Sequence, residues 1–307
     1  MGRAARRLSF RAVKPSVAPG LVVVDKPDGM TSHDVVARVR RILGTRKVGH
    51  AGTLDPMATG VLVLGIERAT KLLGHLALDS KAYLATIVLG SSTTTDDAEG
   101  ETLSTVDASD VQDDAVAAEI AKLTGPIQQV PSAVSAVKID GKRAYARVRA
   151  GEQVEIPARP VTVHRFDVLF TRREDKTVLI DVMVECSSGT YVRALARDLG
   201  AALGVGGHLG ALRRTRVGPF DLRVAKTLEQ LEETPGLSLD LDEAVATAFP
   251  RRDIDPQEAS ALSHGQRLKT GGIEGTYGVF GPDGHVIALA KDEGTACKPV
   301  VVLSPAG

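Results

Sequence analysis

A glycine-rich loop holds the residues of this chain that are best suited to chemistry. Between Gly49 and Gly60 the sequence is GHAGTLDPMATG, in which His50 and Asp55 are the only titratable side chains. Glycines allow the backbone to adopt positive φ or to approach a ligand closely, and Pro56 stiffens the chain directly after Asp55. The loop is therefore predicted to hold one carboxylate in a fixed position.

Three kinds of chemistry compete for this loop. A phosphate-binding loop has the pattern Gly-x4-Gly-Lys-Ser/Thr, and no lysine follows the glycines here. A metal site built from His33, His50 and Asp55 would have a spacing that matches no established ligand pattern. A nucleophilic aspartate is the third possibility, since carboxylates form covalent intermediates with sugar carbons. An aspartate that only caps a turn fits the spacing as well, so the residues alone leave the choice open.

The elements around the loop are predicted to place it at the end of a buried sheet. Leu21–Val24 and Val61–Leu64 are short apolar runs typical of buried strands. Between them we expect a helix with Ser32 as its N-cap, an apolar stripe, and Gly44 at its C-terminus. The other predicted elements of this part are strands at Tyr83–Leu89, Val178–Cys186 and Arg213–Val217 and helices near Val111–Leu123 and Thr190–Leu203.

The chain is predicted to have an α+β catalytic domain at residues 20–248, between a basic tail at 1–19 and a small β-rich module at 249–307. Within the domain, Ser91–Ala108 is expected to be a mobile polar loop, and residues 127–155 to be an insertion. Residues 232–250 are an acidic, proline-containing linker with some helix. The module is predicted to contain a helix at Pro256–Leu262 and strands at Thr276–Phe280, Val286–Ala290 and Val300–Leu303. It is expected to fold independently, so that truncation near Arg251 leaves a folded domain.

Charge is strongly segregated, although the net charge at pH 7 is +0. Basic residues cluster before residue 54, at 138–149 and at 189–226, whereas residues 96–119 contain acids and neither lysine nor arginine. Converging basic clusters would form a face that meets phosphates, and solvated surface is the alternative. Cys186 and Cys297 are too few for a disulfide framework. With neither a bilayer-spanning apolar stretch nor a secretory signal, the cytoplasm is the expected compartment.

Five ordered blocks of this sequence resemble the TruB family of tRNA pseudouridine synthases. The blocks are GLVVVDKPDGMTSHDVV, GHAGTLDPMATGVL, ERATKL with KAYLATI, PSAVSAVKIDGKRAYARVRAG, and SSGTYVRALARDLG followed by GGHLGALRRT. They extend from Gly20 to Phe220. The resemblance implies the pseudouridine-synthase fold, which is a mixed, mostly antiparallel sheet with flanking helices, a cleft across the sheet, and an inserted thumb loop. Residues 250–307 resemble, over short stretches, the family's PUA-like RNA-binding tail.

The family resemblance also implies a reaction, in which the T-loop uridine at position 55 of tRNA becomes pseudouridine. A uridine stacked in a loop must be flipped out before its sugar and base can react. The isomerisation requires no cofactor and no metal, and activity is expected to survive metal chelation. The T-arm of tRNA is the expected partner, with no membrane and no protein partner required. An RNA-binding protein that helps tRNA to fold, and a synthase for rRNA or mRNA, are the alternatives.

Site residues are carried over from the matching blocks. Asp55 would be the catalytic group, attacking the sugar or the base or acting as a base at C2′. Tyr83 would stack on the target base and help to remove its C5 proton, and Arg193 would pair with Asp55 and orient it. His50 would fill the space left by the flipped nucleotide, and Leu212 would line the pocket. The remaining RNA contacts are predicted near the cleft and in the thumb-like insertion at Lys26, Thr70, Lys71, Lys138, Lys142, Arg143, Arg147 and Arg149.

Overall fold

The computed structural model describes residues 17–77, 80–132 and 156–305, and the backbone of two short strands between 138 and 143. In chain order the strands are β1 (Gly20–Lys26), β2 (Val48–Ala51), β3 (Thr59–Ile66), β4 (Lys81–Leu89), β5 (Ser91–Thr93), β6 (Thr102–Thr105), β7 (Gly125–Gln129), β8 (Lys138–Ile139), β9 (Lys142–Arg143), β10 (Arg159–Glu174), β11 (Thr177–Cys186), β12 (Gly207–Val217), β13 (Phe220–Asp221), β14 (Leu239–Asp240), β15 (Arg251–Asp253), β16 (Leu268–Lys269), β17 (Thr276–Phe280), β18 (Val286–Glu293) and β19 (Ala296–Val302). The α-helices of the described residues are α1 (Ser32–Leu43), α2 (Leu73–Leu76), α3 (Asp113–Lys122), α4 (Val192–Ala202), α5 (Leu228–Glu233), α6 (Leu241–Ala248) and α7 (Pro256–Ser263), and a 3-10 helix spans Glu67–Leu72.

The main sheet is mixed and mostly antiparallel, which confirms the predicted fold class. Its strand order is β14-β1-β3-β12-β4-β11-β10-β7, with β2 paired to β3 and β13 to β12. The pair β3–β12 is parallel, and it joins Thr59 and Gly60 to Arg213 and Arg214. A Cβ at Gly60 would lie 2.1 Å from the carbonyl oxygen of Arg214. Only glycine therefore allows the end of the glycine-rich loop to approach β12 so closely.

Both faces of the strand pair β1–β3 are buried, because side chains alternate between two apolar clusters. Val22 and Leu62 pack into one cluster together with Val35 of α1. Leu21 and Val63 pack into the other, on the opposite face of the sheet. This double burial explains why both strands are continuous apolar runs in the sequence. It also gives the loop between β2 and β3 a rigid base.

The predicted α1 is present, but its N-cap is Thr31 rather than Ser32. The Thr31 hydroxyl accepts from the Asp34 backbone N–H, and the Asp34 carboxylate accepts from the backbone of Thr31, which forms a capping box. Ser32 is instead buried. Its hydroxyl donates to the Leu54 carbonyl oxygen at 3.0 Å and accepts from the Leu54 N–H at 2.8 Å. A residue predicted to begin the helix therefore holds the loop next to Asp55.

Two further parts of the large domain differ from the sequence prediction. Residues predicted as a mobile polar loop form the hairpin β5–β6, whose connecting turn contains the buried Asp97. The sequence analysis did not predict the sixteen-residue strand β10. The C-terminal half of this strand, which includes Phe170, is largely exposed and lacks a clear alternation of apolar residues. Within the described residues, no helix is long and apolar enough to cross a membrane.

The C-terminal module, which was expected to fold independently, shares an apolar core with the large domain. Phe280, Val286 and Leu289 from β17 and β18 belong to the same buried cluster as Leu21 and Val63 of the main sheet. Lys71, predicted as an RNA contact, donates from Nζ to the Val302 carbonyl oxygen at 2.9 Å. Truncation near Arg251 would expose this shared apolar surface, so the truncated chain is not expected to keep its stability.

We expect Phe280→Ala to lower the free energy of unfolding of the whole chain by about 3–5 kcal/mol, because it leaves a cavity in the shared core. Phe280 is fully buried, and its ring lies 4.0 Å from the Arg251 guanidinium carbon. The measurement is urea unfolding followed by circular dichroism. Val300→Ala is the matched control, because Val300 is 45% exposed in the same module and should change little. A variant that loses only the module, in a separate first transition, would show that the two cores are independent.

Candidate active site

A cavity of about 300 Å³ opens beside the glycine-rich loop, at one end of the main sheet. It brings together four residues that the sequence predicted for the site: Asp55, Tyr83, Arg193 and Leu212. It also contains Arg214, which the sequence analysis assigned only to a basic cluster. Its residues come from the β2–β3 loop, β4, β12 and the start of α4, so four separate segments meet at Asp55. A cavity of this size holds a ligand on the scale of a single base.

Backbone contacts hold the loop around Asp55 in place. The Asp55 carbonyl oxygen accepts from the Ala58 N–H at 3.1 Å, which closes a turn across Pro56. Lys26 is fully buried, and its Nζ donates to the Pro56 and Pro27 carbonyl oxygens at 2.9 Å each and to Met30 at 2.5 Å. The structure thus places the Lys26 side chain inside the protein rather than at the surface, and its contact with RNA stays a prediction. Its ammonium group is used within the protein, where three carbonyl oxygens satisfy it.

Arg193 lies between two carboxylates. It is the second residue of α4 and is only 5% exposed. Its Nε lies 3.1 Å from Asp55 Oδ2, and its Nη1 lies 3.1 Å from Asp97 Oδ2. Nη1 also donates to the Thr95 carbonyl oxygen at 2.8 Å. The contact predicted between Arg193 and Asp55 is thus present, and Asp97 is a partner that the sequence analysis missed.

The local charges have opposing effects on the Asp55 carboxylate, whose side chain is 38% exposed to the cavity. Burial raises the pKa of Asp55, Arg193 lowers it, and the negative charge of Asp97 raises it again; the net direction is upward. Arg193 therefore opposes protonation of Asp55 without overcoming the effect of burial. The surroundings of Asp55 therefore disfavour its ionised form. Such a shifted pKa is typical of groups that react at functional sites.

Tyr83 and Arg214 also line the cavity. Tyr83 lies on β4 and Arg214 on β12, and the two are direct partners in the antiparallel register. Both are buried, with exposures of 7% and 1%. Burial raises the pKa of the Tyr83 phenol, and the Arg214 guanidinium opposes that rise. The phenol is consequently neutral at physiological pH.

Among the residues whose side chains the structure describes, His50 and Thr70 do not line this cavity. The ring of His50 packs edge-on against His33 with centroids 5.5 Å apart, and burial lowers its pKa. The Thr70 hydroxyl donates to the Glu67 carbonyl oxygen, within the 3-10 helix. The predicted phosphate contacts lie outside the residues whose side chains the structure describes; they are Lys138, Lys142, Arg143, Arg147 and Arg149.

Comparison with known proteins decides the family. A family model described as TruB family pseudouridylate synthase (N terminal domain) matches residues 40–192. Two C-terminal models, described as tRNA pseudouridylate synthase B C-terminal domain and tRNA Pseudouridine synthase II, C terminal, match residues 193–258 and 249–304. A relative from Nocardia farcinica named tRNA pseudouridine synthase B is 67% identical over 288 residues, which cover 94% of this chain and 94% of the relative. This chain belongs to the TruB family.

Further matches agree with membership of the TruB family. A tRNA pseudouridine synthase B from Rhodococcus jostii is 63% identical over 297 residues, which cover 95% of this chain and 97% of the relative. Among solved structures, a chain of the Cbf5-Nop10-Gar1 complex superposes with a TM-score of 0.70 at 29% identity, over 93% of this chain and 85% of that chain. The TruB-family chain described here is therefore a pseudouridine synthase, an isomerase that acts on uridine in RNA.

Proposed function

We propose that this chain converts the uridine at position 55 in the T loop of tRNA to pseudouridine, with residue Asp55 as the essential catalytic group. The position of the Asp55 carboxylate carries the proposal. It faces a base-sized cavity, lies 3.1 Å from a buried arginine, and shares that cavity with Tyr83. The test is to replace Asp55 by asparagine and to measure tritium release from C5-labelled uridine.

The reaction breaks the bond between C1′ and N1, turns the uracil, and forms a bond between C1′ and C5. The C5–H bond then breaks, its electron pair restores the double bond between C5 and C6, the proton leaves to solvent, and N1 takes up a proton, so that the product is an isomer of uridine. Asp55 acts in the first stage, as a nucleophile at the sugar or the base or as a base at C2′. In each version the carboxylate must be ionised to act, since a protonated acid is neither a nucleophile nor a base.

Other residues of the cavity have supporting roles in this proposal. Arg193 directs Asp55 Oδ2 through its Nε and is itself fixed by Asp97 and Thr95. Tyr83 stacks on the flipped base, and Leu212 packs against it, since both side chains line the cavity. His50 fills the gap that the flipped nucleotide leaves in the RNA.

tRNA is proposed as the substrate because the curated relatives named above carry that substrate in their names. We propose that the T-arm is the part bound, with Lys138, Lys142, Arg143, Arg147 and Arg149 meeting its phosphates. We further propose that the enzyme requires no protein partner and works in the cytoplasm. The two cysteines are both free and buried, which is consistent with a reducing compartment.

We expect the single-turnover rate to fall as the pH is lowered through a value above the ordinary aspartate pKa of about 3.9. The direction of this pH dependence follows from the surroundings of Asp55. Burial raises the pKa of Asp55, so the ionised, reactive form is lost at a higher pH than for an exposed aspartate. The measurement is the rate at saturating enzyme as a function of pH, with tRNA binding and circular dichroism followed in parallel. An acid limb at or below the ordinary value, with binding and fold intact, would contradict this assignment.

A further inference from the structure

Gln129, the last residue of β7, has a buried polar side chain that does not line the catalytic cavity. It is only 2% exposed, whereas its neighbour Gln128 is exposed. Its amide forms two hydrogen bonds with the backbone of a single residue. Oε1 accepts from the Tyr191 N–H at 2.8 Å, and Nε2 donates to the Tyr191 carbonyl oxygen at 3.1 Å. The side chain thus pairs with Tyr191 in the way that a residue of a neighbouring strand would.

Tyr191 is the residue from which α4 starts. It is the N-cap of this helix, and its own side chain makes no capping hydrogen bond. Its carbonyl oxygen accepts the first helical bond, from the Leu195 N–H at 3.2 Å, as well as the bond from Gln129. The N–H groups at a helix start lack intrahelical partners. Gln129 therefore fixes both backbone groups of Tyr191 from outside the helix.

The start of α4 carries Arg193 into the cavity. Tyr191 and Arg193 both line the cavity that contains Asp55, and Arg193 Nε lies 3.1 Å from Asp55 Oδ2. Arg193 follows two residues after the residue that Gln129 holds, whereas its partner Asp97 belongs to the turn of the hairpin β5–β6. A shift of the first turn of α4 would therefore move the guanidinium relative to the carboxylate of Asp55.

We propose that Gln129 is a positioning residue for the isomerisation: by fixing the backbone of Tyr191, it sets the distance between Arg193 and the Asp55 carboxylate. The inference rests on the proposed function, because it takes Asp55 as the catalytic group. Misplacing a group by about 1 Å in an active site can cost about 10²-fold in rate. Gln129 does not line the cavity and is too deeply buried to bind RNA, so its effect reaches the reaction through Arg193.

A second contact keeps α4 in place when Gln129 is replaced. Arg197, one turn further along α4, donates from Nη2 to the Val130 carbonyl oxygen at 2.8 Å, directly after Gln129 in the chain. Leu195 and Leu199 of α4 are fully buried in the core of the large domain. Replacement of the Gln129 amide should thus free the start of α4 without unfolding the helix.

The first test follows Asp55 in the free enzyme, without substrate. Gln129→Met keeps the length of the side chain but removes both bonds to Tyr191, since methionine has no N–H group and only a weak acceptor. Arg193 lowers the pKa of Asp55. We therefore expect the titration midpoint of Asp55, measured by ¹³C NMR of its carboxyl carbon, to rise by about half a pH unit, about a threefold change in the ionisation constant.

Gln128→Met is the matched control for this titration, because Gln128 is the exposed neighbour of Gln129 on β7. Its midpoint should equal that of the unsubstituted enzyme. The Asp55 signal is assigned by its absence from the spectrum of Asp55→Asn. An unchanged midpoint in folded Gln129→Met would overturn the proposal.

A double substitution shows whether the effect of Gln129 passes through Arg193. Arg193→Gln should itself raise the midpoint of Asp55, and adding Gln129→Met should then raise it no further. The other charged groups that act on Asp55 lie on other segments; they are Asp97, Lys26 and Arg214. Equal rises with and without Arg193 would mean that Gln129 acts on the site by another route, and they would refute the proposal.

Single-turnover rates test the same role during the reaction. At saturating enzyme, Gln129→Met should release tritium from C5-labelled tRNA about tenfold more slowly, with unchanged tRNA affinity. The acid limb of its rate should move to higher pH together with the Asp55 midpoint. A slower reaction whose acid limb stays in place means that Gln129 only stabilises the fold, and this result counts against the proposal.

Two safeguards keep these outcomes distinct. If Gln129→Met does not fold, Gln129→Asn takes its place in every measurement with the same directions expected, because the shorter amide cannot reach both backbone groups of Tyr191. If the proposed function is wrong, the unsubstituted enzyme gives no product from tRNA. The titration of Asp55 in the free enzyme still decides whether Gln129 positions Arg193.

Discussion

Replacing Asp55 by asparagine is expected to abolish pseudouridine formation while the enzyme continues to fold and to bind tRNA. The amide keeps the shape of the side chain but removes the charge that all three versions of the mechanism require. Activity should fall by at least about a thousandfold, as is usual when an essential covalent or proton-transfer group is lost. Affinity for tRNA should stay within about tenfold, or about 1.4 kcal/mol, because Asp55 offers RNA no positive charge.

The Asp55→Asn protein should be at least as stable as the unsubstituted enzyme. Burial and Asp97 both disfavour the charged form of Asp55, so the neutral amide removes an unfavourable charge from the cavity. Loss of activity together with unchanged or raised stability is typical of an active-site residue. Asp28→Asn is the matched control, because Asp28 is an exposed carboxylate just before α1. It should change neither rate nor stability appreciably.

The measurement for Asp55→Asn is tritium release from C5-labelled uridine in a T-loop transcript, with filter binding of the same variant. Product formation at nearly the rate of the unsubstituted enzyme would make Asp55 a structural turn residue, which the spacing of the loop alone also allows. Binding without tritium release by the unsubstituted enzyme would instead favour an RNA-binding protein that helps tRNA to fold.

Family motifs predicted four residues that the fold brings into one cavity, since each lies in a stretch of characteristic sequence. They did not reveal the partners that these residues acquire by folding. Asp97 is one of nine acids between residues 96 and 119, and only the turn of the hairpin β5–β6 selects it for burial beneath Arg193. A count of acids cannot show which one is buried, because burial is decided by contacts distant in sequence.

Arg214 was missed for a related reason. In the segment LRRTRV it belongs to a basic cluster, and such clusters were expected to form a phosphate-binding face. On β12 the side chains alternate, so Leu212 and Arg214 point to the cavity side while Arg213 pairs with Asp25. The sequence analysis predicted a strand only at Arg213–Val217. The alternation of side chains becomes visible in the sequence when the strand begins at Gly207, as it does in the structure. The net charge of residues 189–226 therefore overestimated the basic surface of this segment, because Arg193 and Arg214 are buried.

Removing Arg193 is expected to damage both stability and catalysis, and a double substitution separates the two effects. Arg193→Gln leaves Asp97 as a buried carboxylate without its cation. Breaking such a pair costs about 3–5 kcal/mol, mostly through the charge left behind. Catalysis should fall as well, because Asp55 loses the Nε that lies 3.1 Å from its Oδ2. Arg197→Gln is the matched control, since Arg197 lies one turn later on α4 and pairs with Asp96 at a more exposed position; its effects should be smaller.

The double variant Arg193→Gln/Asp97→Asn should recover most of the lost stability, because both members of the buried pair are then neutral and can still form hydrogen bonds. It should not recover activity, since Asp55 still lacks a cation to orient it. Urea unfolding measures the first effect, and single-turnover tritium release measures the second. Recovery of activity along with stability would mean that Arg193 acts on the fold alone. Failure to recover stability would show that Arg193 stabilises the site through contacts other than its pair with Asp97, such as its bond to the Thr95 carbonyl.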